Sequence, residues 1–226
     1  MKTLYFQEEF PKTCKLDVEV EVGSVAVKAH NGRYITVDVE FEEMEIDVYR
    51  QGNTFFVKAE NKNNKDDVTS WVQKLFLWNN AKAHFKINVP EDCEVVVNTT
   101  TGKTTIAAVN APVTVRTTTG ATELANIGGA IYAKTTTGRL TYDGILTDDD
   151  HRFETTTGSI ELNLHKEPNA MIDASTTTGR LSVDFPLHKQ SENRNLTGGR
   201  IKGMLGSGNG RIKAKMTTGS LSISKA

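Results

Sequence analysis

Apolar and polar positions alternate along most of this chain, and in its second half the alternation is locked to a recurring glycine. Five residues before that glycine stand Val97, Val115, Ala133, Phe153, Ala174 and Ala214. Four after it stand Ile106, Leu124, Tyr142, Leu162, Val183 and Ile223, and the positions between are mostly polar, as at Asn98, Arg116, Lys134 and Glu154. Period-two alternation describes half-buried strands and not helices. The inward phase switches from odd to even offsets across the glycine, so one residue is out of step there. That predicts a bulge or corner of the kind glycine tolerates.

The glycine closes a tetrapeptide, Thr-Thr-Thr-Gly, which ends at Gly102, Gly120, Gly138, Gly158 and Gly179, with a variant ending at Gly219. Successive copies lie 18, 18, 20 and 21 residues apart, and the last step of 40 is close to two more. A repeat of this length that buries one face against its neighbours makes a solenoid. The expected fold is therefore all-β: a single-stranded β-helix or β-solenoid of roughly 18–21-residue coils over residues 91–226. The loop from His188 to Arg200 is polar and is expected to protrude from the coil before the terminal one.

Residues 1–90 read as an irregular antiparallel cap that continues into the solenoid as one domain. Strand patterns run through residues 16–22, 34–41, 54–59 and 85–89, with turns at Asn31-Gly32 and Gln51-Gly52-Asn53. One segment departs from strand spacing. Val68, Trp71, Val72, Leu75 and Phe76 make an apolar stripe at helical period, predicting a short amphipathic helix near 66–79. The helix is expected to dock over the open end or side of the sheet. Trp71, Leu75, Phe76 and Trp78 are also the candidates for an interaction site.

Within the tetrapeptide the first and third threonines share the phase of the inward residues. Thr101, Thr119, Thr137, Thr157 and Thr178, with the six repeat glycines, are thus expected to form an inner structural ladder whose hydroxyls bond from coil to coil. Only the middle column, beginning at Thr100 and Thr118, is expected to face water. That is one column short of an ice-binding plane with two outward threonines per coil.

The 226 residues, 37% of them hydrophobic, suffice for a core, and a net charge of −1 gives no general attraction to nucleic acid or acidic membranes. Neither nucleic-acid binding nor membrane contact is expected. No apolar run suits a signal peptide or a membrane span, so the chain as written reads as cytoplasmic, with the cell surface as the alternative if a leader was removed or export is non-classical. Cys14 and Cys93 are far apart in sequence and read as reduced thiols in that setting.

Candidate chemistry is sparse. Asp143 and Asp184 sit five after their glycines, and direct stacking of their coils would place them about 10 Å apart, near the upper end of an inverting glycosidase pair. Arg139 and Arg180 are close enough in sequence to pair with them. The run Asp148-Asp149-Asp150-His151 lacks the spacing of a calcium loop and reads as a solvated loop. His30, His84, His165 and His188 are scattered, so no metal, cofactor or catalytic residue is expected.

The run Val89-Pro90-Glu91-Asp92-Cys93, the following Val-x-Thr-Thr-Thr-Gly-x-x-x-Leu repeats, and the ending from Gly206 to Ile223 resemble the bacterial β-strand-repeat family of adhesin-like proteins, a domain of unknown function. The resemblance implies a β-helix-like solenoid and assigns no catalytic residues. The function expected is that of a non-enzymatic structural or interaction protein, which presents a rigid surface to an unknown protein, polymer or envelope component. Self-association through loosely capped coil ends fits the same reading. The alternative is a carbohydrate-active enzyme on this scaffold, with Asp143 and Asp184 as its acids.

Overall fold

The computed structural model describes residues 1–10, 14–61, 81–194 and 197–226, and those residues fold into fourteen β-strands of one sheet. The repeats form long strands stacked in parallel: β7 (Glu94–Ala107), β8 (Val113–Ala125), β9 (Ile131–Gly144), β10 (Asp150–Leu164), β11 (Ala170–Val183) and β14 (Gly210–Lys225). Each strand turns a corner at its glycine, so its two halves face one another across the core. Val97 and Ile106, on either side of Gly102, are fully buried, and the Thr99 and Thr104 hydroxyls meet at 3.1 Å. This is the expected all-β solenoid.

The corner demands glycine for two reasons. The repeat glycines have φ between 131° and 149°, a region closed to L side chains by steric clash. They also stack so closely that a Cβ on Gly120 would fall on the carbonyl oxygen of Gly102, and one on Gly138 on that of Gly120. The column extends further than the tetrapeptide shows. β2 (Lys15–His30) pairs in parallel with β7, and its Gly23 lies opposite Gly102 with φ 148°. Val-Glu-Val-Gly is thus a first coil without the threonines. The expectation of an irregular antiparallel cap over residues 1–90 holds for the β1–β3, β3–β6 and β4–β5 pairs but not for β2, which presents the same glycine corner to β7 in parallel.

Beyond β2 the stack continues as two split coils. β5 (Thr54–Asn61) pairs with the first half of β2 and β6 (Lys82–Pro90) with the second, both parallel to it. β5 ends and β6 begins where the other coils carry their corner, and the helix expected near 66–79 lies outside the described residues. Next come β4 (Met44–Gln51) on β5 and β3 (Tyr34–Glu42) on β6, both antiparallel, with Glu43 at positive φ in the corner between them. β1 (Lys2–Glu9) closes this end against β3.

At the other end, spatial order departs from chain order. β14 lies between β10 and β11, pairing in parallel with both, so the last coil in sequence is internal. The hairpin of β12 (His188–Arg194) and β13 (Gly199–Met204) covers the first half of β11. Residues 188–200 therefore belong largely to the sheet; the protruding loop expected there is not found among the described residues.

Side chains in the inner columns complement one another in size. Phe153 stands between Ala133 and Ala214, and all three are fully buried. Cys14 and Cys93 form a disulfide with 4.8 Å between their Cα atoms, which corrects the expectation of separate reduced thiols. Their 79-residue separation vanishes because each precedes a strand of the β2–β7 pair, whose register begins Lys15↔Glu94.

Two stability outcomes follow from the corner and the bridge. Gly138→Ala should cost about 3 kcal/mol or more in urea unfolding, since strain and a backbone clash combine. Gly52→Ala, at a turn with φ 61° and open space around it, should cost only about 1 kcal/mol. Equal losses would show that the close stack is not what requires glycine. Replacing both cysteines by serine should cost about 2–4 kcal/mol in the absence of reductant, matching the effect of reductant on the unsubstituted protein. Recovery of both thiols unpaired, by mass spectrometry of the alkylated native protein, would contradict the bridge.

Candidate functional site

The outer faces of the solenoid are set by what the glycine corner turns inward. Among the threonine triplets the first member is buried, at 3% exposure for Thr99 and Thr117 and 0% for Thr135. Its hydroxyl meets the threonine two after the glycine where there is one: Thr117 and Thr122 at 3.0 Å, then Thr122 and Thr135 across coils at 3.4 Å. In later coils that position is Leu140 or Ile160, and the Thr155 hydroxyl has no protein partner among the described residues. The inner threonine ladder is real but short.

The third threonines correct the parity expectation. Thr101, Thr119, Thr137, Thr157 and Thr178 are exposed, as are the middle ones, because the corner begins before the glycine and swings the third side chain outward. Their backbones stay in register from coil to coil, as in Thr101↔Thr119↔Thr137. Two adjacent columns of threonine hydroxyl therefore line the corner. A groove of about 460 Å³ follows the middle column past Thr100, Thr118 and Thr136. Glu19, Glu21 and Glu60 bound it on one side and Arg116 and Lys134 on the other.

A second groove, about 510 Å³, lies at the far end along residues 179–182 of β11 and 220–222 of β14. Beyond Gly179, whose N–H donates to the Thr197 carbonyl, residues 180–183 pair with β14 on one side only among the described residues.

The pair proposed for glycoside hydrolysis does not meet. Asp143 lies beside Asn163, Asn163 hydrogen-bonds Ser224 of β14, and Asp184 follows on β11. The inserted β14 thus adds a step, and three steps separate the carboxylates by roughly 14 Å, beyond even an inverting pair. The expected arginine partners also differ. Asp143 is 2.8 Å from His165 Nε2, and Arg139 pairs with Glu161 at 3.8 Å.

The acidic run is tied into its loop. Asp148 accepts from the Asn169 amide at 2.8 Å and Asp149 from the Thr147 hydroxyl at 2.7 Å. His151 is buried, its Nε2 2.9 Å from the Thr147 carbonyl, and burial holds its pKa below the usual histidine range. Tyr142 is likewise a core residue: burial pushes its phenol up to about 12, and its hydroxyl donates to the Ile145 carbonyl. Among the described residues no three His, Cys, Asp or Glu side chains converge on a metal position. His84 bonds the Ser24 hydroxyl, and His30 packs on Tyr34. Trp71, Leu75, Phe76 and Trp78 lie outside the described residues.

Two features escaped the sequence reading. Gly23 was hidden because its coil lacks threonine, although Val-Glu-Val-Gly-Ser-Val-Ala-Val carries the same phase change. The charged margins of the first groove were hidden because Glu19, Glu21 and Glu60 on one side and Arg116 and Lys134 on the other come together only across coils.

Among known proteins, no curated protein matches this chain. Its structure is similar to that of a "putative cell adhesion protein" from Clostridium sporogenes, with a TM-score of 0.52 and 14% identity over the whole of both chains. It is more distantly similar to a "putative adhesin" from Parabacteroides distasonis, with a TM-score of 0.32 and 10% identity over 100% of this chain and 97% of that one. A "putative lipid binding protein" from the same organism has a TM-score of 0.33 and 11% identity over 98% and 97% of the two chains. What the first of these shares with this protein is the fold. The sequence pattern of the Toastrack DUF4097 family matches residues 93–224, more than half of the chain, and the protein belongs to that family.

Proposed function

We propose that this protein is a non-enzymatic, adhesin-like β-solenoid that works at the cell surface, presenting its rigid outer faces to a polymer, protein or envelope component. The observation that carries the reading is the in-register stack itself. Seven glycine-cornered strands, from β2 to β14, repeat the same outward positions along one axis, building long polar faces and shallow grooves. Such a surface suits an extended ligand better than a small molecule held in a closed pocket.

Two further observations support it. The Clostridium sporogenes protein of the same fold is named for cell adhesion. The Cys14–Cys93 bridge favours an oxidising compartment over the reducing cytosol. No helix among the described residues is long and apolar enough to cross a membrane. Residues 180–183, paired on one side only among the described residues, also give a second copy a place to add a strand.

The location is tested by treating intact producing cells with protease beside an intracellular control protein. Digestion of this protein with the control protected is the expected outcome. Protection until the cells are lysed would overturn the surface role.

A further inference from the structure

The half-strands that precede the glycine carry a concentration of positive charge that neither the overall composition nor any short run reveals. Register aligns one outward row from β8 to β13: Arg116, Lys134, Glu154, Lys215, Ser175 and Arg200. The next row, two residues earlier on the parallel strands and two later on the antiparallel β13, is Tyr132, Arg152, Lys213, Asp173 and Lys202. At the edge, Arg211 lies opposite Asp150. These six strands thus bring eight cations and three carboxylates to one face of a chain whose net charge is −1.

Two of the cations are neutralised locally. Arg152 pairs with Glu154 at 2.6 Å, and Arg200 grips both oxygens of Asp173, whose pKa it holds below the usual carboxylate range. Arg116, Lys134, Lys202, Arg211, Lys213 and Lys215 form no ion pair among the described residues. At about 4.8 Å per strand, the rows extend roughly 24 Å along the stack. Immediately beside them runs the exposed middle threonine column, Thr118, Thr136, Thr156, Thr217 and Thr177.

We propose that this face binds an acidic polysaccharide lying along the solenoid axis. The cations would take its carboxylate or sulfate groups and the threonine hydroxyls its sugar hydroxyls. This deepens the surface-binding reading above and rests on it. A linear polyanion matches a row of cations set at strand spacing along the stack, and its condensed counterions are released on binding. Single-stranded nucleic acid fits less well, because it needs aromatic platforms. The aromatic ring in these rows, Tyr132, is flanked by the guanidinium groups of Arg116 and Arg152 at 5.1 and 5.4 Å. An anionic membrane also fits less well. Stable docking there combines charge with inserted apolar groups, and Met171 is the exposed large apolar side chain that these strands offer.

The test measures binding of the full chain to dextran sulfate, with uncharged dextran of the same length as the reference. The face variant is Lys134→Gln, Lys213→Gln and Lys215→Gln together. A charge-matched control on the other half of the coils is Lys28→Gln, Lys86→Gln and Lys225→Gln. Thermal melting of both establishes that each is folded. The unsubstituted protein should bind dextran sulfate and not dextran. The face variant should lose roughly tenfold or more in affinity, with the salt dependence shallower by about three counterions, while the control changes by less than about threefold. Equal losses in the two variants would overturn the proposal. So would tighter binding to oligothymidylate or to phosphatidylglycerol vesicles than to dextran sulfate. Failure to bind any polyanion would overturn it too, even if protease digestion places the protein at the cell surface.

Discussion

The structure depends on how closely its backbones approach one another at the corners. At Gly102, Gly120, Gly138 and Gly158 each coil lays its Cα against the carbonyl of the coil before it, where a Cβ would occupy the same space as the oxygen. That approach lets the two half-strands fold over a core only one or two side chains deep, as where Thr117 and Thr122 touch across the corner. In the repeat strands the core is then built mostly from Val, Ile, Leu and Ala, with Phe153 and Tyr142 where alanine or a turn makes room, while larger residues such as Phe10, Phe55 and Phe85 fill the less regular first coils. Larger inner residues in every coil would hold the coils apart and break the ladder.

A stack of near-identical coils has a problem of order. Every repeat presents the same corner to its neighbours, so the motif alone does not specify which coil sits beside which. Here β14 enters between β10 and β11, leaving β11 to be covered by the β12–β13 hairpin. Placing the last strand inside the sheet pairs both of its edges and leaves a different strand to be capped. At the opposite end the order is secured covalently, because the Cys14–Cys93 bridge ties the two strands that begin the regular stack. The first strand of the chain thus closes one end of the stack, but the last strand does not close the other.

The same stacking converts a sequence of mixed charge into surfaces of distinct character. Arg116, Lys134 and Lys215 are separated by tens of residues and by acids, yet they share one row. The inward residues vary only in ways that fit their neighbours in size, as Phe153 does between two alanines. The outward ones are constrained only by water and by one another, and ligand specificity in such a fold is expected to reside there.

The sequence by itself determined the strands, the repeat length, the glycine corners and the identity of most core positions. Those follow from local rules: side-chain alternation, and the dihedral freedom that glycine alone has. Tertiary structure decided what depends on which coil meets which. It placed the third threonines outside, because the corner starts one residue earlier than simple alternation implies. It recruited Gly23 into the column without a threonine motif and brought Cys14 to Cys93. It separated Asp143 from Asp184 by inserting β14, and it collected the cations into one face. Each of these is a relation across strands, fixed by pairing partners that a single pass along the chain does not contain.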